Sequence, residues 1–575
     1  MNFKIELLKK RTLLKIKKYL YGIPLSKSHI PGSIIFLILI QNIIASFSYK
    51  KLSRSDKPSN FPITGEKDSF NSPIWRGTNG FDWYWRLHMD QRKFITANTV
   101  EDILALPIEI LKCKVFKNSY KESFTRDSIL SFAAEFGEKV EFTQKINDKV
   151  KEEISKSSGK YEYIHVRSDS EISIKSKRPF LVGQGIPLYQ EEKTSKDLVL
   201  LLFIDGLADR SILGINKLED FMPNTAKYFS KGFDFRQHYA SSEWTLPSVA
   251  NFFTGQYTQN HKLFHPNKST FLPSNIETLS EIFSLSNYMT FQAGGNWRVT
   301  PKYGYQRGFD RNIYQREMNA AQVIDHFVEN QNTFQCRSTF SFLKFFDIHH
   351  DLGHINHLSN SIDLFDLTRS SNDLNVKSVY ESKDPVKTAI YINKIRSLDA
   401  RLGFLYSYLN NLEKTKRISV FLCTDHGRSF LSNDNCPLSL ARTRIPFLFK
   451  SSDHSELREI NEFTENIDIF TSILNDSNIS ICSSKADSRL PLSLGGSNER
   501  KFSFSQSLYP GQTYKAIFRE LNKSTYIESK QLVDQSGLID ITRMEEFTLK
   551  INNVISHDKI PKRYQTFLHS LFANI

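Results

Sequence analysis

The sequence predicts an α/β protein with a central, mostly parallel sheet, and three observations support this fold class. The run "LVLLLFIDG" (198–206) is apolar almost throughout, as strands buried on both faces of a parallel sheet are. Further apolar runs follow with helical stretches between them, which is the alternation of a doubly wound sandwich. These runs are "YMTFQAGGN", "FSFLKFFDIHH", "RISVFLCTDHG" and "IPFLFKS". Three of the five runs end in acids or histidines, and ligands collect at the carboxyl ends of parallel strands.

Changes in pattern divide the chain into four segments. Residues 1–51 join a basic amphipathic stretch to an apolar one, and residues 52–196 have the mixed pattern of an α+β accessory region. The catalytic domain is expected at 197–484, after the polar run "EEKTSKD". Residues 485–575 have the pattern of short strands and a helix, which indicates a C-terminal subdomain. A chain of 575 residues is longer than one hydrophobic core usually organises, so several domains are expected.

The first fifty residues favour a surface or interfacial position. "MNFKIELLKKRTLLKIKKYL" has the basic amphipathic pattern of a helix on a membrane surface, and a solvated helix docked on the core fits equally well. The apolar stretch from Ile34 to Ala45 is shorter than the ~20 residues that span a bilayer. It also lies too far from the start for an ordinary signal peptide. We therefore expect a cytoplasmic protein and leave open a peripheral membrane contact through residues 1–50.

The accessory region carries no recognisable chemistry. "TVEDILALPIEILKCKVF" (99–116) has helical spacing that Pro107 interrupts. "YEYIHVRSDSEISIKSKRPFLVGQG" (161–185) alternates as half-buried strands do.

The net charge and the cysteine content indicate which classes of partner and site to expect. The net charge of +14 and the pI near 9.2 favour an anionic partner, but no basic cluster coincides with a nucleic-acid motif. We therefore expect an anionic small substrate or an anionic membrane face, and no nucleic acid. The five cysteines are odd in number and widely spaced, which argues against a disulfide framework or a Cys-based zinc site. The oligomeric state is left open.

Three places in the chain offer ligands for one metal ion. Asp205 ends the first apolar run and Asp425-His426 ends another, where Gly206 and Gly427 allow the chain to turn. Oxygen ligands with one imidazole suit Mn, Zn, Mg or Ca. A helix N-cap is the alternative for Asp205 alone.

The stretch "SSEWTLPSVANFFTG" (241–255) is the third place and offers a fourth ligand and a nucleophile. Its pattern predicts a helix with Pro247 in the first turn and Thr245 just before it. A hydroxyl there lies beside backbone N–H donors and the positive end of the helix dipole, which stabilise an attached anion. Taken alone, "TLP" fits a plain N-cap as well.

Together these blocks resemble the sulfatase-like branch of the alkaline phosphatase superfamily. The resemblance covers roughly residues 197 to 480, and the blocks stand in the family's order. They are Asp205-Gly206, "MPNTAKYFSKGFDFRQHYASSEWTLPSVANFFTGQYTQNH", "GFD", "FFDIHH", "SLDARLGFLYSYL", "TDHG", "RIPFLFK" and "NIDIFTSIL". The resemblance implies an alkaline phosphatase-like sandwich and a metal-bound nucleophile that cleaves or transfers sulfate or phosphate esters.

Carried over by position, the resemblance makes Asp205, Asp425 and His426 metal ligands and Thr245 both ligand and nucleophile. His349 matches the family's substrate or leaving-group histidine. Sulfatases of this branch have Cys or Ser where this chain has Thr245, and Arg where it has Val249. Because threonine cannot yield formylglycine, phosphoryl chemistry of the phosphodiesterase or phosphoethanolamine transferase kind is favoured.

Other polar residues near these blocks are candidates for supporting roles. His350, Asn296 and Arg428 are predicted to hold the substrate anion, and Arg298 is a further candidate; for Asn296 a surface turn is the alternative, and for Arg428 a solvated side chain. The run "FDIHHDLGH" offers a second metal site. Its candidate ligands are Asp347, Asp351 and His354, with His350 as an additional one.

The predicted activity is a two-step displacement at phosphorus. Thr245 attacks, an alcohol leaves with a proton from His349, and water or an acceptor alcohol reverses the step. The sequence leaves open hydrolysis or transfer, and a glycan, a lipid head group or a small ester as substrate. Two rivals remain: a sulfate ester hydrolase without formylglycine, and a catalytically silent protein that binds an anionic glycan.

Overall fold

A computed structural model of the chain describes most residues after 106 and three short ranges before it. All of them fall within one compact unit, residues 56–93 and 104–575. The described ranges are 66–67, 73–75, 81–87, 107–135, 137–147, 149–189, 194–266, 271–316, 318–349, 378–434, 436–454, 456–480 and 486–572. The predictions for residues 1–51 lie outside these ranges, and the location of the protein stays a prediction. In the described part of the chain, no helix has the length and apolarity needed to cross a bilayer.

The apolar runs form the centre of one large mixed sheet. Strands β13 to β20 are Leu198–Ile204, Phe233–Tyr239, Met289–Gly294, Arg311–Tyr314, Thr339–Phe345, Ile418–Cys423, Phe447–Ser451 and Arg458–Glu465. Their order is β16-β15-β17-β13-β18-β19-β14-β20, and all pairs from β16 to β18 are parallel. Strand β19 is antiparallel to both of its neighbours. The predicted α/β sandwich with a mostly parallel central sheet is confirmed.

Strand β13 shows why the sheet is buried on both faces. Leu200 and Leu202 pack into one hydrophobic cluster, whereas Leu201 and Phe203 pack into another. Successive side chains of a strand point to opposite faces, so the two clusters are the two sides of the sandwich. A continuous apolar run was therefore required here instead of an alternating one.

Helices cover the sheet and connect its strands. Helices α1 to α10 of the described residues are Leu218–Phe221, Pro223–Tyr228, Thr245–Thr254, Thr258–His261, Leu279–Leu285, Ala320–Thr333, Pro385–Leu412, Leu440–Thr443, Asp468–Asp476 and Lys562–Phe572. Short 3₁₀ helices occur at Arg210–Leu213, Pro301–Tyr303, Ser378–Tyr380, Ser429–Leu431, Leu492–Leu494 and Met544–Glu546.

The accessory region extends the same sheet. Strands β1 to β12 are Glu66–Lys67, Pro73–Trp75, Asp82–Leu87, Ile108–Phe116, Ser119–Phe124, Ser128–Ala133, Lys139–Ile146, Lys149–Lys156, Glu162–Val166, Ser170–Ser176, Phe180–Gly183 and Ile186–Pro187. Strand β4 pairs with β16, while β5, β10, β7 and β8 form a separate four-stranded sheet. The helix predicted for 99–116 is wrong over Ile108–Phe116, which is β4. The strands predicted within 161–185 are confirmed.

The C-terminal residues form a second antiparallel sheet with one helix. Strands β21 to β25 are Ser503–Ser507, Thr513–Arg519, Ser524–Leu532, Thr548–Ile551 and Val554–Ser556. Helix α10 packs with this sheet in a hydrophobic cluster that also takes in Tyr257 and Ile467 of the preceding segment. Apolar contacts therefore join the C-terminal sheet to the residues before 484; the predicted domain boundaries themselves stay predictions.

Candidate metal and catalytic site

Four neighbouring strands deliver polar side chains to one edge of the sheet. Asp205 follows β13, Asp425 follows β18, His349 follows β17 and Asn296 follows β15. These strands are adjacent and parallel, so their carboxyl ends lie along the same edge. The topology thus brings together residues that are up to 220 positions apart in the chain.

The carboxylates of Asp205 and Asp425 are both buried. Asp425 Oδ1 accepts hydrogen bonds from the backbone N–H of Gly206 at 3.0 Å and of His426 at 2.9 Å. Asp205 Oδ1 and Asp425 Oδ2 have no hydrogen-bond partner. Burial, followed by the charge of Asp425, raises the pKa of Asp205 well above its ordinary value. Two buried carboxylates with unsatisfied oxygens indicate a place for a cation.

The tautomer of His426 follows from its hydrogen bond to the backbone. His426 Nδ1 lies 2.9 Å from the carbonyl oxygen of Gly427, and because a carbonyl only accepts, Nδ1 carries the proton. Burial lowers the pKa of His426 to about 4, so the ring is neutral at neutral pH. Its Nε2 lone pair then faces Asp425 Oδ2 at 3.3 Å. A lone pair directed at a carboxylate is repulsive unless a cation lies between them.

Thr245 directs its hydroxyl at the same point. Its Oγ1 lies 3.4 Å from Asp205 Oδ2 and 3.3 Å from His426 Nε2. Helix α3 begins at Thr245 itself with Trp244 as its N-cap, so the predicted position just before the first turn is wrong by one residue. Pro247 is the third residue of the helix. The hydroxyl does not cap the helix, which excludes the plain N-cap alternative.

The N-cap alternative for Asp205 is also excluded. The nearest short helix, Arg210–Leu213, is capped by Asp209, whose side chain accepts from Ser211 N–H. Asp205 Oδ2 instead accepts from the side-chain amide of Asn296, which is 2% exposed. Asn296 therefore belongs to the site and not to a surface turn.

His349 lies beside the carboxylates in an aromatic setting. Its Nε2 is 3.6 Å from Asp205 Oδ1, and about a quarter of its side chain (26%) is exposed. The imidazole stacks on Phe346 with ring centroids 4.4 Å apart and meets the edge of Trp297 at 5.9 Å. His349 is therefore partly open to solvent beside the carboxylates, and its predicted contact with the substrate or leaving group stays a prediction.

The ligand set fits one divalent cation. Ligand atoms of Asp205, Asp425 and His426 all lie within 4.8 Å of one another. Donors bound to one such ion at ~2.0–2.6 Å are at most ~5 Å apart. Two carboxylates and a neutral imidazole suit Mn, Zn, Ca or Mg, so the donor chemistry and the spacing agree.

Comparison with known families identifies the central part of the chain. Residues 197–477 match the family model described as Sulfatase. These residues form a sulfatase-family domain. The predicted membership of the sulfatase-like alkaline phosphatase superfamily and the prediction of an enzyme are confirmed, and the start of the match at 197 coincides with the predicted start of the catalytic domain.

Two solved structures are similar to this chain in fold. The phosphonate monoester hydrolase from Silicibacter pomeroyi has 14% identity and a TM-score of 0.46, covering 65% of this chain and 94% of its own. The phosphonate monoester hydrolase of Agrobacterium radiobacter has 14% identity and a TM-score of 0.47, covering 66% of this chain and 96% of its own. No curated protein sequence matches the chain.

Arg428 lies inside the site, and its predicted role as an anion clamp stays a prediction. It is buried, and its Nη2 donates to the backbone carbonyls of Ile348, at 3.0 Å, and His349. A Cβ added at Gly206, which has a φ of +74°, would lie 2.9 Å from Arg428 Nε. Arg428 thus packs on the residue after Asp205 and holds the segment that carries His349. The solvated alternative is excluded.

The second metal site predicted from "FDIHHDLGH" stays a prediction. His350, Asp351 and His354 lie outside the described residues. Asp347 Oδ1 accepts from the backbone N–H of Ala320 at the start of α6, at 3.0 Å. Among the described residues, Asp347 is not part of the group of metal-ligating atoms.

Sequence reasoning missed two buried residues of the site. Arg442 in α8 is 2% exposed and donates from Nη2 to the carbonyl of Glu243, two residues before Thr245. The hydroxyl of Tyr391 donates to the Gly206 carbonyl at 2.8 Å and accepts from the Ala208 N–H at 2.8 Å. Arg442 stands before an apolar run and Tyr391 lies in a long helix. Nothing in the neighbouring sequence distinguishes either buried residue from an exposed one.

Proposed function

We propose that this protein is a metal-dependent enzyme that cleaves or transfers phosphate esters, with Thr245 as the nucleophile. The observation that carries the proposal is the convergence of the Thr245 hydroxyl with Asp205 and His426, at 3.4 and 3.3 Å. The hydroxyl of Thr254, in the same helix, instead donates to the backbone carbonyl of Ala250 at 2.7 Å.

The residues divide into a metal-holding group and a substrate-handling group. Asp205, Asp425, His426 and Thr245 would hold a divalent cation. Such an ion lowers the pKa of a bound hydroxyl and offsets charge on phosphoryl oxygens. Asn296 orients Asp205 through its amide.

The reaction proceeds as two displacements at phosphorus. Ionised Thr245 Oγ1 forms a bond to phosphorus while the bond to the leaving alcohol breaks, and His349 supplies the proton to that alcohol. In the second step, the oxygen of water or of an acceptor alcohol forms a bond to phosphorus while the bond from phosphorus to Thr245 Oγ1 breaks. His349 takes the proton of the attacking hydroxyl, so both His349 and ionised Thr245 return to their starting states. Helix α3 directs its positive end at the developing charge.

A sulfate ester is the second candidate substrate, because the domain that carries the site belongs to the sulfatase family. It would use unmodified Thr245 in the same two steps. The substrate is in either case an anionic ester, on a glycan, a lipid head group or a small molecule. A silent glycan-binding protein is disfavoured, since binding alone does not require a hydroxyl beside two carboxylates and an imidazole.

The test combines metal analysis with assays of matched variants. Purified protein is assayed on aryl phosphodiester, phosphomonoester and sulfate ester substrates, alongside Thr245→Ala and Thr254→Ala. We expect activity to need a divalent metal and to disappear only with Thr245→Ala. Mass spectrometry after brief exposure to substrate should find one phosphoryl group on the peptide containing Thr245. Unchanged turnover by Thr245→Ala would exclude this nucleophile.

A further inference from the structure

The guanidinium group of Arg442 is buried without a carboxylate partner. Among the described residues, its one hydrogen bond runs from Nη2 to the Glu243 carbonyl, and its Nε has no acceptor. No described carboxylate lies within ion-pair distance of it. Burial is the main reason that the pKa of Arg442 falls to about 10, so the group is still charged at neutral pH.

Backbone contacts place Arg442 between the two halves of the catalytic site. Its carbonyl accepts from the backbone N–H of Gly427 at 2.7 Å, directly after His426. Its side chain reaches Glu243, two residues before Thr245. The charge of Arg442 interacts with that of Glu243 and, more weakly, with those of Asp425 and Asp205. Arg442 therefore lies beside both the metal ligands and the nucleophile.

Other buried arginines in this protein have partners that Arg442 lacks. Arg500 pairs with the carboxylates of Glu465 and Asp468 at 3.1 and 2.6 Å. Arg519 lies over the ring of Tyr239, with its Cζ 5.6 Å from the centroid. Burying a cation without a counterion is unfavourable, and folded proteins rarely retain such a group without a use.

The charge balance of the site calls for an anion. Once a divalent cation neutralises Asp205 and Asp425, the charge of Glu243 is the remaining negative charge that acts on Arg442, and no described carboxylate is in contact with the guanidinium of Arg428 or Arg442. Arg428 uses its Nη2 on the backbone of residues 348 and 349, whereas most donors of Arg442 stay available. A guanidinium presents its donors in a planar fork that matches the oxygens of a tetrahedral oxyanion.

We propose that Arg442 is the residue that binds the tetrahedral oxyanion, donating hydrogen bonds to non-bridging oxygens of the phosphoryl or sulfuryl group held beside Thr245. This inference rests on the proposed function, because it assumes that the ester group is processed at Thr245. It assigns to a side chain outside the predicted site motifs the task of binding the transferred group.

The experiment measures binding of inorganic phosphate and inorganic sulfate to protein loaded with Mn²⁺ or Zn²⁺. Arg442→Met, Arg442→Lys and the control Arg519→Met are compared with the unaltered protein by calorimetry and by thermal unfolding. The control removes an equally buried arginine that also donates one hydrogen bond to a backbone carbonyl, here that of Leu438.

We expect phosphate to stabilise the unaltered protein and Arg519→Met equally. In Arg442→Met the dissociation constant of phosphate should rise about tenfold to a hundredfold, the range for loss of hydrogen bonds to a charged group. Without anion, the midpoint of unfolding of Arg442→Met should be unchanged or higher, because a buried unpaired charge is removed. Arg442→Lys keeps the positive charge but lacks the planar set of guanidinium donors, so it should bind phosphate with intermediate affinity.

Wild-type phosphate affinity in Arg442→Met would overturn the inference. If Arg442→Met does not fold, wild-type affinity in Arg442→Lys would overturn it in the same way. The Thr245→Ala variant separates this outcome from failure of the proposed function. If Thr245→Ala is active and phosphate affinity still depends on Arg442, the nucleophile is refuted and the inference about Arg442 stands. If Thr245→Ala is inactive and both Arg442 variants bind phosphate as the unaltered protein does, the inference about Arg442 alone is refuted.

Discussion

Two buried groups of charged side chains in this protein differ in how completely they are satisfied. Around Arg500, the carboxylates of Glu465 and Asp468 accept from the guanidinium, and further bonds come from Tyr257 and the N–H of Phe504. Around Asp205, buried atoms of both carboxylates and of two arginines have no hydrogen-bond partner.

This difference distinguishes a group of side chains that stabilises the fold from a candidate binding site. The Arg500 group is complete within the chain and links the C-terminal sheet to β20 and α9, so its bonds serve the fold. The Asp205 group would be completed by the proposed cation and the proposed anion. Buried polar atoms without partners are costly in a stable fold and therefore mark where external groups bind.

Replacing Thr245 by Ala gives the sharpest separation of activity from stability. We expect a loss of at least about a thousandfold in turnover, as for removal of a nucleophile, and little change in the free energy of unfolding. The matched change Thr254→Ala in the same helix removes a bond to the Ala250 carbonyl and should do the reverse. Steady-state kinetics measures the turnover and urea unfolding measures the stability of each variant. Comparable turnover in the two variants would show that Thr245 is no more important for catalysis than Thr254.

Replacing Asp468 by Ala tests the complete group. Arg500 would lose two of its hydrogen bonds, and the N–H groups of Glu465 and Arg489 would lose their acceptor. Breaking a buried ion pair from one side costs about 3–5 kcal/mol, so the free energy of unfolding should fall by that amount. Denaturant unfolding checks this value, and a change below about 1 kcal/mol would show that the Arg500 group adds little to stability.

Replacing Asp205 by Asn should raise the free energy of unfolding of the metal-free protein, whereas replacing Asp468 lowers it. Because burial and Asp425 raise the pKa of Asp205, its ionised form destabilises the fold, and wild-type stability is lost as pH rises from 3.8 through the raised value. The variant lacks this loss. It should therefore be more stable than the wild type near neutral pH, with the difference shrinking as pH falls towards 4.

The same Asp205→Asn change should weaken metal binding strongly. We expect the loss in affinity to exceed the roughly 10- to 100-fold that removal of an outer partner of a metal ligand costs. Calorimetric titration with Mn²⁺ or Zn²⁺ measures it. If the variant bound metal as the wild type does and gained no stability without it, the incomplete group would not be a cation site.

Replacing Tyr391 by Phe has the smallest expected effect and tests the scaffold behind the site. The hydroxyl makes two hydrogen bonds of 2.8 Å, to Gly206 and Ala208. Its loss should cost about 1–2 kcal/mol in unfolding free energy, with a severalfold decrease in activity because the turn after Asp205 loosens. Activity that fell as far as with Thr245→Ala would place Tyr391 in the reaction itself.

The sequence was most informative where chemistry and position coincide. Asp205 and Asp425 follow uninterrupted apolar runs, and the parallel order of those strands is enough to bring the acids together. Thr245 was identified as the nucleophile because the family resemblance places one at that position; taken alone, the stretch fitted a plain N-cap as well. These residues could be predicted because each one combines a local pattern with a known type of site.

The remaining errors and omissions concern long-range partners. Ile108–Phe116 was predicted as a helix, yet it forms a strand through pairing with β16, some 200 residues later. Asn296 was a candidate only because it follows an apolar run, and Arg442 has no local signal at all. Their burial depends on which loops meet at the sheet edge, and this is decided by the tertiary fold and not by the spacing of neighbours.

The pairing of β4 with β16 has a practical consequence for the catalytic segment. Arg311 in β16 is buried and bonds Glu109 in β4 at 2.6 Å, and the side-chain amide of Asn312 donates to the Ile110 carbonyl at 3.0 Å. A shortened fragment starting at residue 197 would expose a row of unpaired backbone groups on β16 and would leave Arg311 only its weaker contact with Glu329 at 3.5 Å. An exposed edge strand of this kind promotes self-association, so the expressed protein should retain strands β1 to β12.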